Sequence, residues 1–238
     1  MPFRLKRRAA PRSWTIPRKG TKWVLRPAPG PHRQTDALPV LFVLRDLRHL
    51  AHSAREARQL VRSNAIRVDN AVVHDLARGV GLMDTVSVED PVNEHFRMFK
   101  DRRGKLMLVP VSAAEAKTKI GRVRAKHTVH GGKLQVTLHD GRNLEVGKTS
   151  AWHVGDSLKI ELPSQKVLAH LPLGPGQLAY ISGGSHVGQV ARVERVEVRN
   201  SPQPNRVHFK EGFATVKDYV YVIGEGTPQI TLPEGLNR

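Results

Sequence analysis

The side chains in this sequence that are best suited to chemistry are its arginines and lysines, and the chemistry they indicate is phosphate binding. Lysine and arginine total 39 against 21 acidic residues, so the net charge is +18 and the pI is near 10.9. This excess predicts a polyanionic partner, with nucleic acid ahead of an anionic membrane surface. Aromatic residues make up only 5% of the chain, which argues against recognition chiefly by base stacking.

The excess charge is concentrated in two parts of the chain. Residues 1–37 hold ten basic residues and one acidic residue, and residues 91–173 hold fifteen and seven. Residues 38–90 hold seven of each, and residues 174–238 hold seven and six. We therefore expect the N-terminal and central parts to supply the long-range attraction to phosphates. Residues 38–90 carry equal numbers of basic and acidic residues, so any RNA contact there has to come from basic side chains that share one face.

Three groups of cations are candidates for RNA contact. The first lies in a basic arm whose six prolines predict an irregular chain, largely disordered when free in water, with tryptophans that can stack on exposed bases. The second is an arginine stripe at helical spacing, and the third recurs at period two along a predicted strand. The predicted RNA-binding residues are Arg4, Lys6, Arg7, Arg8, Arg12, Trp14, Arg18, Lys19, Arg26, Arg33, Arg45, Arg48, Arg55, Arg58, Arg62, Arg122, Arg124 and Lys126.

Each group also has an ordinary structural interpretation. The arm would then be a flexible tail or a targeting signal, the arginine stripe a solvated helix face, and the basic strand a wet sheet face. The residues around the strand include too few acids to neutralise its cations, which favours phosphate contact there.

No segment of the sequence predicts an active site. The segment GPGQLA, residues 174–179, has the letters of a dinucleotide fingerprint, but Pro175 is stiff and a strand is predicted where a helix should begin. No phosphate-binding GxxxxGK[ST] motif occurs, and the lack of cysteine excludes disulfides and thiolate sites. We therefore predict no catalytic residues, no cofactor and no small-molecule substrate.

Metal and membrane binding are also not predicted. The pairs His49/His52 and His127/His130 lack a third ligand at a suitable spacing. Asp69, Asp75 and Asp84 fall in predicted turns, where aspartate makes local hydrogen bonds. No run of eighteen apolar residues and no signal peptide is found, so we expect a cytoplasmic protein with no membrane contact.

Residues 38–90 predict two short helices followed by strands. Apolar residues from Val40 to Leu50 share one face of the first helix, and Ser53 with Glu56 forms a capping box that begins the second. Asn64 is suited to end that helix. The strands expected next are Ile66–Val68 and Ala71–Val73 around an Asp69-Asn70 turn, then Thr85–Val88 after a loop containing Gly79 and Gly81.

The rest of the chain predicts mostly strands. Alternation places Arg122, Arg124 and Lys126 on one face of a strand and Val123 and Ala125 on the other. Strands are also predicted at 96–99, 106–109, 134–138, 154–162 and 167–171, with a short capped helix beginning at residue 112.

Several segments resemble known families. The helix pair with its arginines, followed by IRVDNAVV and GVGLMD, resembles the small RNA-binding fold named after ribosomal protein "S-four". Its hairpin turn usually carries glycine where Asn70 stands, and asparagine also tolerates positive φ. The segment GPGQLAYISGGSHVGQVARVERVEV resembles a KOW motif, with Gly188 at the glycine expected in its tight backbone path.

The strongest resemblance is to the "S-four-e" family of archaeal and eukaryotic small-subunit ribosomal proteins. It rests on LKRRAAPRSWTI, RPAPGPHR, LPVLFVLRD, FAT, YVIGEG and ITLP, which occur in the family's order from Leu5 to Pro233. No basic extension follows, which indicates an archaeal-type member. The resemblance implies a structural protein of the small subunit whose partners are small-subunit rRNA and neighbouring ribosomal proteins.

The predicted fold class is α+β and multi-domain, mostly β. The expected parts are an extended arm (1–37), an "S-four"-type RNA-binding domain (38–90), a central β-rich domain (91–173) and a KOW-type SH3-like barrel with its tail (174–238). Two alternatives stay open. An RNA-modifying enzyme would need a catalytic domain, and an elongation factor carrying a KOW hairpin would need a polymerase-binding domain.

Overall fold

Strands account for most of the regular structure in the computed structural model, which describes residues 4–90, 92–147 and 151–233. The chain divides into two compact units, Met1–Lys119 and Ile120–Arg238. The first three residues of the predicted arm and the last five of the predicted C-terminal domain lie outside the described residues. The expectation of a mostly β protein built from several sheets is confirmed, and the four-part division stays a prediction.

In its described residues, the first unit combines three sheets with short helices, which include a single 3-10 turn at Arg7–Ala9. Its sheets are β1-β2, β3-β6 and β5-β4-β7-β8-β9. The strands are β1 (Arg4–Lys6), β2 (Trp23–Leu25), β3 (Ala37–Pro39), β4 (Ile66–Val68), β5 (Ala71–Val72), β6 (Gly79–Gly81), β7 (Thr85–Val88), β8 (Glu94–Lys100) and β9 (Leu106–Pro110). The helices are α1 (Val40–Phe42), which continues as a π-helical turn (Val43–Leu47), α2 (Ala54–Arg62) and α3 (Ala113–Ala116).

The basic arm is folded, which corrects the expectation of a largely disordered segment. Strand β1 pairs antiparallel with β2, and Ala10, Trp14, Ile16 and Val24 are buried in the core of the first unit. The Thr15 hydroxyl donates to the carbonyl of Leu106 at 2.7 Å. The arm orders because its scattered apolar side chains bury surface together, and this gain offsets the entropy lost on ordering a proline-rich chain.

The helix pair follows the predicted signals. The Ser53 Oγ accepts the backbone N–H of Glu56 at 3.2 Å, and the Glu56 carboxylate accepts that of His52 at 2.8 Å. Both bonds satisfy donors at the start of α2. The Glu56 carboxylate accepts the His52 backbone N–H and also the Ser53 hydroxyl, at 2.9 Å, and these two hydrogen bonds lower the pKa of Glu56. Asn64 has φ +59 just beyond α2, as expected of a residue that ends a helix.

The hairpin predicted after α2 is also confirmed, but the segment with Gly79 and Gly81, predicted as a loop, is a strand. Asp69 and Asn70 have φ values of +52 and +62. Positive φ at both central residues is typical of the two-residue turn whose twist matches that of the flanking strands. Gly79–Gly81 forms β6 and pairs with β3. A Cβ on Gly81 would lie 2.2 Å from Cγ of His32, so this strand needs glycine for a close approach and not for a turn.

The second unit contains two five-stranded sheets. The strands are β10 (Thr118–Thr128), which begins two residues before the unit, β11 (Leu134–Leu138), β12 (Asn143–Val146), β13 (Ser157–Glu161), β14 (Val167–Leu171), β15 (Gln177–Ile181), β16 (Val190–Glu197), β17 (Arg206–Phe209), β18 (Ala214–Val216) and β19 (Val220–Glu225). The orders of the two sheets are β12-β11-β10-β13-β14 and β18-β17-β16-β15-β19. Each sheet buries its own apolar cluster, around Leu158 in the first and Val193 in the second.

The connection between β15 and β16 depends on Gly188. Its φ is +77, and its N–H donates to the carbonyl of Ile181 at 2.8 Å. An L-residue in this conformation is strained, so we expect Gly188→Ala to lower the free energy of unfolding by about 1–2 kcal/mol. Urea unfolding of the full chain measures this effect. Gly147→Ala is the matched control in the same unit, because no heavy atom lies within 4 Å of its added Cβ and its φ is not positive. An equal effect of the two substitutions would contradict a special role for Gly188.

Candidate nucleic-acid interface

The arginine stripe lies on the exposed side of α2. Arg55, Arg58 and Arg62 are exposed, while Ala57 and Val61 on the other side of the helix are buried in the core of the first unit. None of these three guanidinium groups forms a hydrogen bond or ion pair with any residue that the structure describes. Their hydrogen-bond donors are therefore available to phosphate oxygens.

The two arginines predicted on the first helix, Arg45 and Arg48, form ion pairs within the protein instead. Nη2 of Arg48 lies 2.6 Å from the Glu94 carboxylate, and its guanidinium carbon lies 4.3 Å from the ring centroid of Phe96. Nη2 of Arg45 lies 2.9 Å from the Asp46 carboxylate. Both arginines are half-buried, so neither is as available to phosphate as the residues on α2.

Most cations of the arm are available to solvent. Within residues 4–90, 92–147 and 151–233, no hydrogen-bond or ion-pair partner is found for the side chains of seven exposed cations. They are Arg4, Lys6, Arg8, Arg12, Lys19, Arg26 and Arg33. An unpaired surface cation in water loses little on approaching a phosphate, and its counterions gain entropy when phosphate contact releases them.

Two other arginines hold the arm in shape. Arg7 donates from Nε to the Thr21 carbonyl at 2.8 Å and from Nη1 to the Pro17 carbonyl at 2.7 Å. Arg18 donates from Nη1 to the Ala10 carbonyl at 2.6 Å and from Nη2 to the Pro11 carbonyl at 2.9 Å. These guanidinium groups satisfy backbone carbonyls that no strand or helix pairs, so they fix the path of the basic segment.

Trp14 is not a surface platform for bases. Its side chain is 1% exposed, and its ring centroid lies 5.7 Å from that of Phe42. The expectation that Trp14 stacks on RNA is therefore wrong, because its ring is part of the core of the first unit. Trp23, by contrast, is 44% exposed.

The basic face predicted on β10 is interrupted. The pairing of β10 with β11 shifts register between Val123 and Ala125, and this bulge breaks the period of two. Arg122 is 8% exposed and its Nη1 lies 3.2 Å from the Asp218 carboxylate, so its predicted place on an open basic face is wrong. Arg124 is exposed, while half-buried Lys126 donates to the Trp152 carbonyl at 3.1 Å.

A basic turn between β8 and β9 was missed in the sequence. Arg102, Arg103 and Lys105 are exposed, and the Asp101 carboxylate shapes the turn by accepting the backbone N–H groups of Arg103 and Lys105, each at 2.8 Å. The Leu106 N–H donates to the Ser13 carbonyl at 2.8 Å, which brings this turn beside the arm. The signal was present as three cations around a predicted turn.

A buried ionic cluster forms between distant parts of the first unit. Nζ of fully buried Lys119 lies 2.7 Å from the Asp69 carboxylate and 2.5 Å from that of Asp84. His32 also contacts Asp84, at 2.8 Å. Aspartates 69 and 84 therefore serve more than their own turns, which sequence spacing could not reveal. Asp75 does bond locally, accepting the Ala77 N–H at 2.9 Å.

The same cluster determines how Asp84 titrates. Burial favours the neutral carboxyl, but attraction to Lys119 and His32 outweighs burial and holds the pKa of Asp84 well below its usual range. Because the folded pKa is below the unfolded value of about 4, the stabilising contribution of this carboxylate is fully present above that pH. It is lost as the pH falls through the folded pKa.

The described residues have neither a metal site nor a membrane span. No group of three or more histidine, aspartate or glutamate side chains is arranged there to hold a metal ion. None of the helices in the described part of the chain has the length and apolar character needed to cross a membrane. The feature best suited to a function is the set of exposed cations on the arm, on α2 and in the β8–β9 turn.

Comparisons with known proteins identify relatives over nearly the whole chain. The family described as "Ribosomal family S4e" matches residues 92–167, and the "RS4NT (NUC023) domain" matches residues 3–35. The chain is 39% identical to small ribosomal subunit protein eS4 of Methanocaldococcus jannaschii over 96% of both proteins. It is 35% identical to the eS4 protein of Methanothermobacter thermautotrophicus over 97% of this chain and 96% of the relative.

A solved structure has the same fold. The crystal structure of the 30S ribosomal protein S4e from Thermoplasma acidophilum superposes with a TM-score of 0.71 at 31% sequence identity. The match covers 80% of this chain and 96% of that protein.

Proposed function

Because the chain belongs to the S4e family of small-subunit ribosomal proteins, we propose that it binds small-subunit rRNA through the exposed cations of its arm and of α2. The predicted resemblance is confirmed. The protein is a structural constituent of the ribosome and not an enzyme, which removes the RNA-modifying alternative. Its relatives are named as ribosomal subunit proteins, so an elongation factor is not supported either.

The proposal rests on one observation above all. Seven exposed cations of the arm, between Arg4 and Arg33, and the three arginines of α2 lack hydrogen-bond and ion-pair partners among the described residues, in a chain of net charge +18. Surface cations are normally interspersed with acids, and an excess without acids repels itself unless a polyanion neutralises it. Phosphates of rRNA supply that neutralisation in a small subunit, where neighbouring ribosomal proteins complete the environment. Such a protein works in the cytoplasm.

The finer domain assignments belong to the same proposal. We assign residues 38–90 to an "S-four"-type RNA-binding domain, supported by the capped arginine helix and the Asp69-Asn70 hairpin. Residues 174–238 are assigned to a KOW-type SH3-like barrel, supported by the antiparallel order β18-β17-β16-β15-β19 and the positive φ of Gly188. Contact of Arg124 with phosphate is proposed as well, while buried Arg122 supports the fold.

Charge reversal on α2 tests the proposal. We expect Arg58→Glu with Arg62→Glu to weaken binding to a small-subunit rRNA transcript by at least about tenfold, because two phosphate contacts become repulsive. The same variant should incorporate poorly into small subunits in co-sedimentation at moderate salt.

The control changes the charge equally elsewhere. Arg206→Glu with Lys210→Glu alters two exposed cations in the last part of the chain, where the net charge is small. This control should bind and incorporate nearly as the unchanged protein does. Normal incorporation of the α2 variant would mean that its arginines are only a solvated surface. Failure of the unchanged protein to bind rRNA at all would refute the proposed function.

A further inference from the structure

The β1–β2 ribbon has one apolar face and one face that carries cations and an exposed tryptophan. In the antiparallel register, Leu5 faces Val24 and Lys6 faces Trp23. Val24 is buried and Leu5 packs against the same core. Neighbouring residues on a strand point to opposite sides, so Lys6 and Trp23 share the other face with Arg4 and with half-buried Leu25, which packs against the core at the end of β2.

Trp23 is the exposed one of the two tryptophans in the arm. It is 44% exposed, whereas Trp14 in the same arm is 1% exposed. Leaving a ring of this size in water forgoes the free energy of burial. Singly exposed apolar side chains are common on protein surfaces, so the case for a partner at Trp23 depends on the cations that surround its ring.

The charges around Trp23 point to what covers it. Nζ of Lys22 lies 5.5 Å from the centroid of the Trp23 ring, and Lys6 is its cross-strand partner. The sequence contains no acidic residue before Asp36, and the Asp36 carboxylate accepts a hydrogen bond from Lys100 at 2.7 Å. A partner that lies on this face has to combine an aromatic or apolar surface with negative charge.

The ribbon is held in this shape before any partner arrives. The backbone N–H of Arg7 donates to the Lys22 carbonyl at 3.0 Å, and its guanidinium bonds Thr21 and Pro17 in the segment that leads into β2. The backbone that carries Trp23 is therefore ordered before a partner binds. An ordered backbone lowers the conformational entropy that is lost on binding.

We propose that Trp23 is a stacking site for an unpaired nucleotide, whose phosphates are held by Lys6 and Lys22. This inference rests on the proposed function, because it takes RNA as the partner. A duplex hides the faces of its bases and offers only phosphates and sugars, so the ring selects an unpaired base. Lys22, now over the ring, moves to the phosphate when the base stacks. A protein partner would need an acidic surface with an aromatic side chain, which is a less common match for this face.

Two substitutions of Trp23 in the full chain distinguish stacking of a base on an aromatic ring from general apolar contact. Trp23→Leu keeps an apolar side chain but loses the aromatic face, and Trp23→Phe keeps a smaller aromatic face. We expect the leucine variant to bind a short single-stranded RNA roughly 5- to 100-fold more weakly, the range that base stacking gives on alanine substitution. The phenylalanine variant should stay within about threefold of the unchanged protein. Binding of the same RNA paired into a duplex should change little with either variant.

Tryptophan fluorescence gives a second readout. Stacking of a base on Trp23 should quench part of the emission, and the Trp23→Phe variant should lose that quenching while it still binds. Equal binding of single-stranded RNA by the leucine variant and the unchanged protein would overturn the inference. So would weaker binding of the leucine variant to a neighbouring ribosomal protein with no change toward RNA.

The same experiment distinguishes this inference from the proposed function. If Trp23→Leu has no effect and Arg58→Glu with Arg62→Glu still weakens binding to the rRNA transcript, only the stacking site is refuted. If the unchanged protein binds neither RNA, the proposed function fails and the stacking site fails with it.

Discussion

Replacing Lys119 by methionine is expected to lower the free energy of unfolding of the first unit by about 3–5 kcal/mol. Lys119 is fully buried, and its ammonium is shared by the carboxylates of Asp69 and Asp84. Without it, the two carboxylates are left close together in the interior with less positive charge beside them. Urea unfolding of the full chain measures the loss, because buried Trp14 in the same unit reports its unfolding through fluorescence.

A surface lysine provides the control for this substitution. Lys105→Met removes an exposed lysine from the β8–β9 turn and should change stability by no more than about 0.5 kcal/mol. Adding Asp69→Asn and Asp84→Asn to Lys119→Met should restore part of the loss, because the two carboxylates that Lys119 neutralised are then also gone. A loss below about 1 kcal/mol for Lys119→Met alone would show that the cluster contributes little.

Neutralising three free cations of the arm is expected to weaken rRNA binding roughly 100-fold near physiological salt. Arg8, Arg12 and Arg33 are exposed and lack partners among the described residues, so each is available for a phosphate. Their replacement by glutamine should also reduce the slope of log binding constant against log salt by about 2 to 3. Titration of an rRNA transcript at several salt concentrations measures both quantities.

The control neutralises three cations that already have acidic partners. Arg67, Lys133 and Arg199 pair with Glu89, Glu145 and Glu197, so their replacement by glutamine changes the total charge equally but removes little capacity for phosphate. The Glu197 partner is held in its charged form, since hydrogen bonds from His208 and Arg199 lower its pKa to about 2. Equal salt slopes for the two triple variants would show that total charge, and not the arm, controls binding.

Local signals in the sequence predicted much of the backbone. The Ser53–Glu56 capping box, the Asp69-Asn70 turn and the glycine at 188 each depend on neighbouring residues alone, and each is confirmed. The exposed stripe of Arg55, Arg58 and Arg62 is likewise a consequence of helical spacing on an amphipathic helix. The family resemblance rested on the order of such segments, so it did not require tertiary structure.

The errors occurred where a residue's environment comes from distant parts of the chain. The arm was predicted to be disordered because its composition is basic and rich in proline. In the structure, the Trp14 ring packs against Phe42, and the Thr15 hydroxyl donates a hydrogen bond to the Leu106 carbonyl. The period of two on β10 predicted an open basic face, but a bulge interrupts that period, and Arg122 is buried beside Asp218 and the Tyr221 ring. Composition and periodicity predict the average exposure of a segment's side chains. A single register shift or one buried aromatic ring can change the exposure of a particular residue.

The amino-acid sequence by itself therefore determined the charge, the helix and turn signals and the family, because each depends on composition or on residues that are close along the chain. Only the tertiary structure decided which cations are free. It placed Arg8, Arg12 and the α2 arginines in solvent, engaged Arg7 and Arg18 with backbone carbonyls, and buried Lys119 between two aspartates. A cation's availability to RNA depends on every group that folding brings within hydrogen-bonding distance, and those groups lie far apart in the chain.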